Sequence, residues 1–115
     1  MKLFLIVSRE RKYLIQAENR KEAYARFFLQ VKRGQIGVGE LGQIILCYSA
    51  TEADPYPFRT VPTLWMMGLI SSKIAIMSLK ELLNITNKEA RELLQETARA
   101  DSWILDEIRK LEAMR

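Results

Sequence analysis

The stretch KLFLIVSRERKYLIQAENRKEAYARFFLQVKR, residues 2–33, decides the fold. It opens with two apolar runs, residues 2–8 and 12–17, which are separated by a short charged turn. Successive side chains of a strand point to opposite faces, so this pair of runs predicts a β-hairpin. Both alternating sets of the first run are apolar, which predicts that the first strand is buried on both faces and the second strand less so.

A helix is predicted directly after the hairpin. Asn19 can accept a hydrogen bond from the free N–H groups of a first helical turn, and Glu22 can reach back to it. We expect the helix to end near Arg33, with Gly34 just past its end. Its apolar side chains fall in one arc that would pack on the hairpin, and its basic side chains fall opposite.

The remainder of the chain is predicted to add one strand and then helices. Residues 43–48 form a third apolar run, so the order to this point is ββαβ. Residues 51–62 contain three prolines and several small or acidic residues, which predicts a linking loop. Two S/T-x-x-E capping boxes follow, at residues 78–81 and 86–89. We expect helices at about residues 63–70, 79–84, 87–99 and 102–114.

These elements predict an α+β fold. A small antiparallel-type ββαβ sheet with one packed helix would be followed by three or four C-terminal helices. The length of 115 residues suits one domain. We expect residues 1–50 to form the ββαβ module, residues 51–62 the linking loop, and residues 63–115 a helical part packed on the module as one domain.

Positive charge is concentrated near the start of the chain. Residues 1–35 hold nine Lys and Arg against three Glu, a net +6, while the whole chain is +4. A local basic surface can attract nucleic acid, and the alternative is solvated charge that protects a sheet edge from aggregation. The sequence leaves both interpretations open. The candidate nucleic-acid contacts lie at the predicted hairpin turn and the helix end: Arg9, Arg11, Lys12, Lys32 and Arg33.

The segment at residues 64–77 is a second candidate surface. It is more apolar than one short helix needs, and Met-rich surfaces adapt readily to partners. It either completes the core under the helices or forms an interface with a protein partner or a second copy. The candidate interface residues are Trp65, Met66, Met67 and Met77.

Several kinds of chemistry are excluded or disfavoured. The chain has no histidine, which excludes Ser-His-Asp and Cys-His catalysis and the usual His-containing zinc sites. Its one cysteine, Cys47, lies in an apolar run and is interpreted as a small buried residue. Residues 37–42 match G-x-G-x-x-G, but that motif binds a dinucleotide only between a strand and a following helix. Here it follows a helix, and Glu40 adds negative charge. We predict no catalytic site, cofactor or metal.

The sequence also bears on location. The first apolar run is short and ends in charged residues without a small-residue cleavage site, so we interpret it as a strand and not as a signal peptide. The apolar stretch at residues 61–77 is interrupted by Pro62, Gly68 and Lys73, which argues against a membrane span. A single cysteine suits a reducing compartment. We expect a cytoplasmic protein with no membrane partner.

One resemblance concerns residues 2–48. The segments QAENRKEA (residues 16–23) and GELGQII (residues 39–45) resemble the pattern of strand, Ala-Glu-Asn, Glu-Ala helix and strand in small uncharacterised ββαβ proteins of bacterial phages and mobile elements. The matching residues are structural, so the resemblance implies no catalytic site. It implies a small accessory protein rather than an enzyme.

We therefore expect a non-enzymatic accessory or regulatory protein, related to those of phages or mobile elements, that acts through protein–protein interaction or self-association. The alternative is a nucleic-acid-binding protein that uses the basic surface of the N-terminal hairpin and helix.

Overall fold

The computed structural model describes residues 1–50 and 52–114. The predicted α+β class is confirmed. The strands are β1 (Lys2–Ser8), β2 (Arg11–Ala17), β3 (Ile44–Ser49) and β4 (Glu52–Arg59). The helices are α1 (Arg20–Lys32), α2 (Thr60–Met66), α3 (Ser72–Leu83), α4 (Asn87–Asp101) and α5 (Trp103–Ala113), with a short 3₁₀ turn at Val38–Glu40.

The chain divides into two compact units. The first unit comprises Met1–Thr60 together with α5 from Ile104 onward, and the second unit is Val61–Trp103. The sheet belongs to the first unit and has the order β2-β1-β3-β4, with every neighbouring pair antiparallel. β2 and β4 are therefore the two edge strands.

The prediction of a loop at residues 51–62 is wrong, because β4 occupies Glu52–Arg59. It pairs with β3, and Pro57 lies opposite Leu46. A proline has no N–H for a ladder hydrogen bond, so it is tolerated in an edge strand and not in a central one. Of the three prolines that predict a loop, Pro55 and Pro57 lie in this edge strand and Pro62 lies in the first turn of α2.

The inner face of the sheet, defined as the face on which α1 packs, holds the core of the first unit. Asn19 caps α1 by accepting a hydrogen bond from the N–H of Glu22 at 2.9 Å, as predicted, and Gly34 follows the helix with a φ of 77°. The helix buries seven side chains. The sheet contributes buried residues from all four strands, namely Phe4, Ile6, Ile15, Ala17, Ile45, Cys47 and Phe58.

Aromatic rings join α1 to the sheet. The ring centroids of Tyr24 and Phe58 lie 4.7 Å apart, and those of Phe28 and Phe58 lie 5.8 Å apart. The Tyr24 hydroxyl donates to the carbonyl oxygen of Ile45 at 2.9 Å, so its polar atom is satisfied inside the core. At the other side, Phe27 meets Tyr13 edge to face at 5.2 Å.

The prediction that β1 is buried on both faces is wrong. Its Phe4 and Ile6 are buried on the inner face, but Leu3 on the opposite face is 54% exposed. Leu5 and Val7 on that same face are half-buried. A strand with apolar residues on both faces is buried on both only if a helix or sheet packs on each face, and the strand's own sequence does not show this.

A buried polar contact links the hairpin, the glycine-rich loop and the end of β4. Ser8 is fully buried, and its Oγ accepts a hydrogen bond from the N–H of Gly42 at 2.8 Å. The hydroxyl of Thr60 donates to the carbonyl oxygen of Gly42. A Cβ at position 42 would lie 2.9 Å from Cγ and 3.4 Å from the backbone N of Arg9. The loop therefore approaches the hairpin so closely that a side chain at position 42 would require Arg9 to move.

The second unit is helical. The predicted helix at 79–84 is wrong in its start, because α3 begins at Ser72 and is capped by Ser71, whose Oγ accepts from the N–H of Ile74 at 3.2 Å. The capping box of Thr86 and Glu89 is confirmed, with both hydrogen bonds at 3.2 Å. The small core of this unit joins α3 to α4 through Ala75, Leu79, Ala90 and Leu94.

We expect Gly42→Ala to lower the free energy of unfolding by about 1–3 kcal/mol, because the added methyl group meets Arg9 and disturbs the Ser8 contact. Gly39→Ala is the matched control, since a Cβ at that position meets nothing within 4 Å. Urea unfolding followed by circular dichroism measures both. Equal stability of the two variants would contradict this view of the loop.

Candidate protein-binding surface

The face of the sheet opposite α1 is here called the outer face. Its side chains alternate along the strands with those of the inner face. The apolar members are Leu3, Leu5 and Val7 of β1, Leu14 of β2, Ile44, Leu46 and Tyr48 of β3, and Pro57 of β4.

The strand register brings these side chains into one patch. Leu5 lies opposite Leu14 on one side and Tyr48 on the other, and Val7 lies opposite Leu46. Directly opposed residues of antiparallel strands have Cβ atoms about 5 Å apart, so they form continuous rows across the sheet. The rows make an apolar surface out of residues that are distant in sequence.

The patch is open to solvent. Leu14 is 69% exposed and Ile44 is 47% exposed, in addition to Leu3. An antiparallel sheet with one solvated face normally alternates apolar and polar side chains, and β1 and β3 do not. Contiguous apolar patches are often functional, which makes this face a candidate surface.

Polar groups of the outer face lie at its margin. Lys12 in the edge strand β2 is opposite Val7, and Arg59 in the edge strand β4 is opposite Ile44. An apolar centre with a polar rim is the composition of a protein–protein interface.

The hairpin turn beside this face has a strained backbone. Ser8 and Arg11 are paired, so Arg9 and Glu10 form a two-residue loop. Arg9 has a φ of 56° and Glu10 does not have a positive φ, which is the pattern of a type II′ turn. Glycine is the usual residue at the first position of that turn.

The structure divides the predicted nucleic-acid contacts into two groups. Arg11 pairs with Glu40 at 3.3 Å, and Lys32 pairs with Glu112 of α5 at 3.1 Å. No ion pair within the described residues involves the three remaining cations of this set, which are Arg9, Lys12 and Arg33.

The predicted interface residues of the second unit also differ from one another. Trp65 is half-buried against the small core of that unit, and its indole N–H donates to Ser72 Oγ at 2.9 Å. Met66 and Met67 are half-buried, and Met77 is 52% exposed. Trp65 thus contributes to the core, and Met77 is the most exposed of the four predicted interface residues.

The carboxylate in the glycine-rich loop, that of Glu40, is engaged by neighbouring protein groups. The carboxylate of Glu40 accepts from the N–H of Gly37 at 3.1 Å and also pairs with Arg11. The loop leads through a 3₁₀ turn into β3, so no α-helix N-terminus follows it.

Cys47 is fully buried, in line with its interpretation as a small core residue. Across residues 1–50 and 52–114, no group of three His, Cys, Asp or Glu side chains could hold a metal ion.

The chain was compared with protein-family models, with curated proteins and with solved structures, and no match was found. None of the described helices combines the length and the apolar character needed to cross a bilayer.

Sequence reasoning missed the outer face as a binding surface. The signal was present in β1, whose two alternating sets are both apolar, and in the exposed apolar positions of β3. The pattern was interpreted as burial on both faces, because the sequence does not show how many elements lie on each side of the sheet.

Two substitutions of Arg9 distinguish the effect of the turn's backbone conformation on stability from the effect of the Arg9 charge. Arg9→Ala and Arg9→Gly remove the same charge, but only glycine adopts a positive φ without steric conflict. We expect Arg9→Gly to be more stable than Arg9→Ala by about 1 kcal/mol in urea unfolding. If alanine is as stable as glycine, the turn does not carry the strain described.

Proposed function

We propose that this chain is a non-enzymatic accessory protein that acts by protein–protein association through the outer face of its sheet, and that a second copy of the chain is the partner. The observation that carries the proposal is the exposure of apolar side chains from three strands on one continuous surface.

A second sheet complements such a surface. Two antiparallel sheets pack face to face about 10 Å apart when the facing side chains are apolar. A second copy offers the same surface, and a two-fold axis between the copies would pair each patch with its equivalent. Lys12 and Arg59 lie on the edge strands, so the centre of the contact would hold no charge.

The size of the patch favours weak association. Four strands about 4.8 Å apart and about five residues long at 3.4 Å per residue cover roughly 300 Å² in projection. A stable interface buries about 800 Å² on each partner. We therefore expect an association that depends on protein concentration, as suits a regulatory contact.

The relation to small ββαβ proteins of phages and mobile elements stays a prediction. It agrees with an accessory role, and it supplies no partner.

The outer face makes a prediction about molecular mass. We expect the light-scattering mass to rise from 13.4 kDa towards twice that value with concentration. Leu3→Lys and Ile44→Glu should each keep the protein monomeric. Because these changes add opposite charges, a shared effect reports lost apolar contact.

Met77→Lys is the control, since it places a charge at an equally exposed apolar position of the second unit. Circular dichroism checks that all variants fold. A protein that stays monomeric up to its solubility limit would contradict the proposal. Loss of association only in Met77→Lys would assign the contact to the second unit.

Nucleic-acid binding is the second candidate function. The exposed cations Arg9, Lys12 and Arg33, which form no ion pair with any residue that the structure describes, favour it. Phosphate contact is the mode that they support, because the nearby aromatic rings of Tyr24, Phe27 and Phe28 are buried and cannot stack on bases.

If this function holds, labelled DNA or RNA should bind at about 50 mM salt and dissociate at about 200 mM salt. The double variant Lys12→Ala with Arg33→Ala should reduce the salt slope by about 2. The control, Arg109→Ala with Lys110→Ala, removes the same charge from side chains that are paired with acids in α5. Absence of binding at low salt would exclude this function.

A further inference from the structure

A groove of about 670 Å³ runs along the edge strand β2 in the first unit. Residues 14–16 of β2 form one wall, and α1 and the C-terminal end of α5 form the other. This groove is a different feature from the outer face, because it lies at the edge of the sheet and includes the inward-facing Ile15.

The backbone of β2 is open towards the groove. Within the described residues β2 pairs only with β1, through a two-residue turn closed by the pair Ser8 and Arg11. Antiparallel pairs alternate between those that exchange both hydrogen bonds and those that exchange none. Counting from the closing pair, Lys12, Leu14 and Gln16 direct their backbone N–H and C=O groups away from β1.

The helical wall of the groove is cationic. Arg26 is held in place by Glu22, whose Oε1 accepts from its Nη2 at 3.2 Å. The Nε of Arg26 is buried and has no hydrogen-bond partner among the described residues. Arg33, about two turns further along, also lines the groove and belongs to the cations without an ion pair. Among the described residues, the lining includes these two arginines and no acidic side chain, which favours an anionic ligand.

Apolar side chains complete the groove. Leu29 of α1 and Leu111 of α5 line it together with Ile15. The side-chain amides of Gln30 and Gln35 also line it and can donate or accept. The groove therefore combines an open backbone edge, an apolar wall and two arginine side chains.

We propose that this groove binds an extended acidic segment of a partner protein, which adds to β2 as a fifth strand. Backbone groups of the segment would pair with the outward groups of Lys12, Leu14 and Gln16. A carboxylate would accept from Arg33, and an apolar side chain two residues away, on the same face of the segment, would contact Leu29 and Leu111. Strand addition of this kind draws affinity from main-chain hydrogen bonds and specificity from the side-chain pockets.

The open edge decides the class of ligand. A phosphate group or a nucleic acid could satisfy the arginines, but neither carries the alternating N–H and C=O groups that an unpaired strand edge requires. A cationic segment is disfavoured by the arginine pair. The outer-face contact uses side chains that project from the sheet, whereas this proposal uses the backbone edge of β2, and Leu14 borders both surfaces.

The test uses the full chain and a fluorescent peptide, Val-Thr-Glu-Thr-Val, whose two valines and glutamate point to one face and whose length of about five residues matches a span of about 17 Å along β2. Two further peptides serve as comparison: Val-Thr-Lys-Thr-Val, and the acidic peptide with alternate backbone nitrogens methylated. Fluorescence anisotropy measures binding at a protein concentration where the mass shows monomer.

We expect the acidic peptide to bind saturably and the lysine and methylated peptides to bind at least about tenfold more weakly. Arg33→Gln should weaken the acidic peptide about tenfold, because it removes a charge-assisted hydrogen bond. Arg109→Gln is the matched control and should bind as the unchanged protein does, since Arg109 pairs with Asp106 and does not line the groove.

Three results would overturn the proposal. The first is no saturable binding of the acidic peptide. The second is equal binding of the methylated peptide, which would show that the strand edge takes no part. The third is displacement of the peptide by a duplex oligonucleotide with the same dependence on Arg33, which would assign the groove to phosphate. Urea unfolding of Arg33→Gln and Arg109→Gln confirms that both variants fold.

Discussion

The hydroxyl of Tyr24 donates to the carbonyl oxygen of Ile45 inside the core, and the same ring lies against Phe58. These contacts fix α1 against β3 and β4 on the inner face of the sheet. Leu3 and Ile44, which β1 and β3 place on the opposite face, remain exposed.

That one-sided arrangement has an energetic consequence. Removing apolar surface from water is favourable by about 25 cal/mol per Å², so the exposed leucines of the outer face would supply binding free energy to the proposed contact. The inner face is closely packed with aromatic rings. A preorganised surface pays less entropy on association than a flexible one, so this packing would favour the proposed contact.

The sequence predicted those elements whose signals are local. The hairpin, the Asn19 cap of α1 and the capping box of Thr86 depend on neighbouring residues, and all are confirmed. β4 was missed because Pro57 is acceptable only at an edge, and edge position follows from pairing between distant segments. The capping box at residues 78–81 predicts a helix start, but α3 begins at Ser72 behind the cap Ser71. The apolar residues of β1 carry a local signal for the outer face, but that face and the groove each assemble residues from several elements, which the sequence alone does not bring together.

The two sequence interpretations of the basic N-terminal region meet at β2. An open strand edge risks pairing with the same edge of another copy, and nearby cations oppose this by like-charge repulsion. Lys12 lies on this edge strand and Arg33 lines the groove beside it, so both charges would oppose the approach of another basic edge. In the proposed strand addition, the same charges would attract an acidic strand. Protection of the edge and selection of its ligand would then be one electrostatic effect.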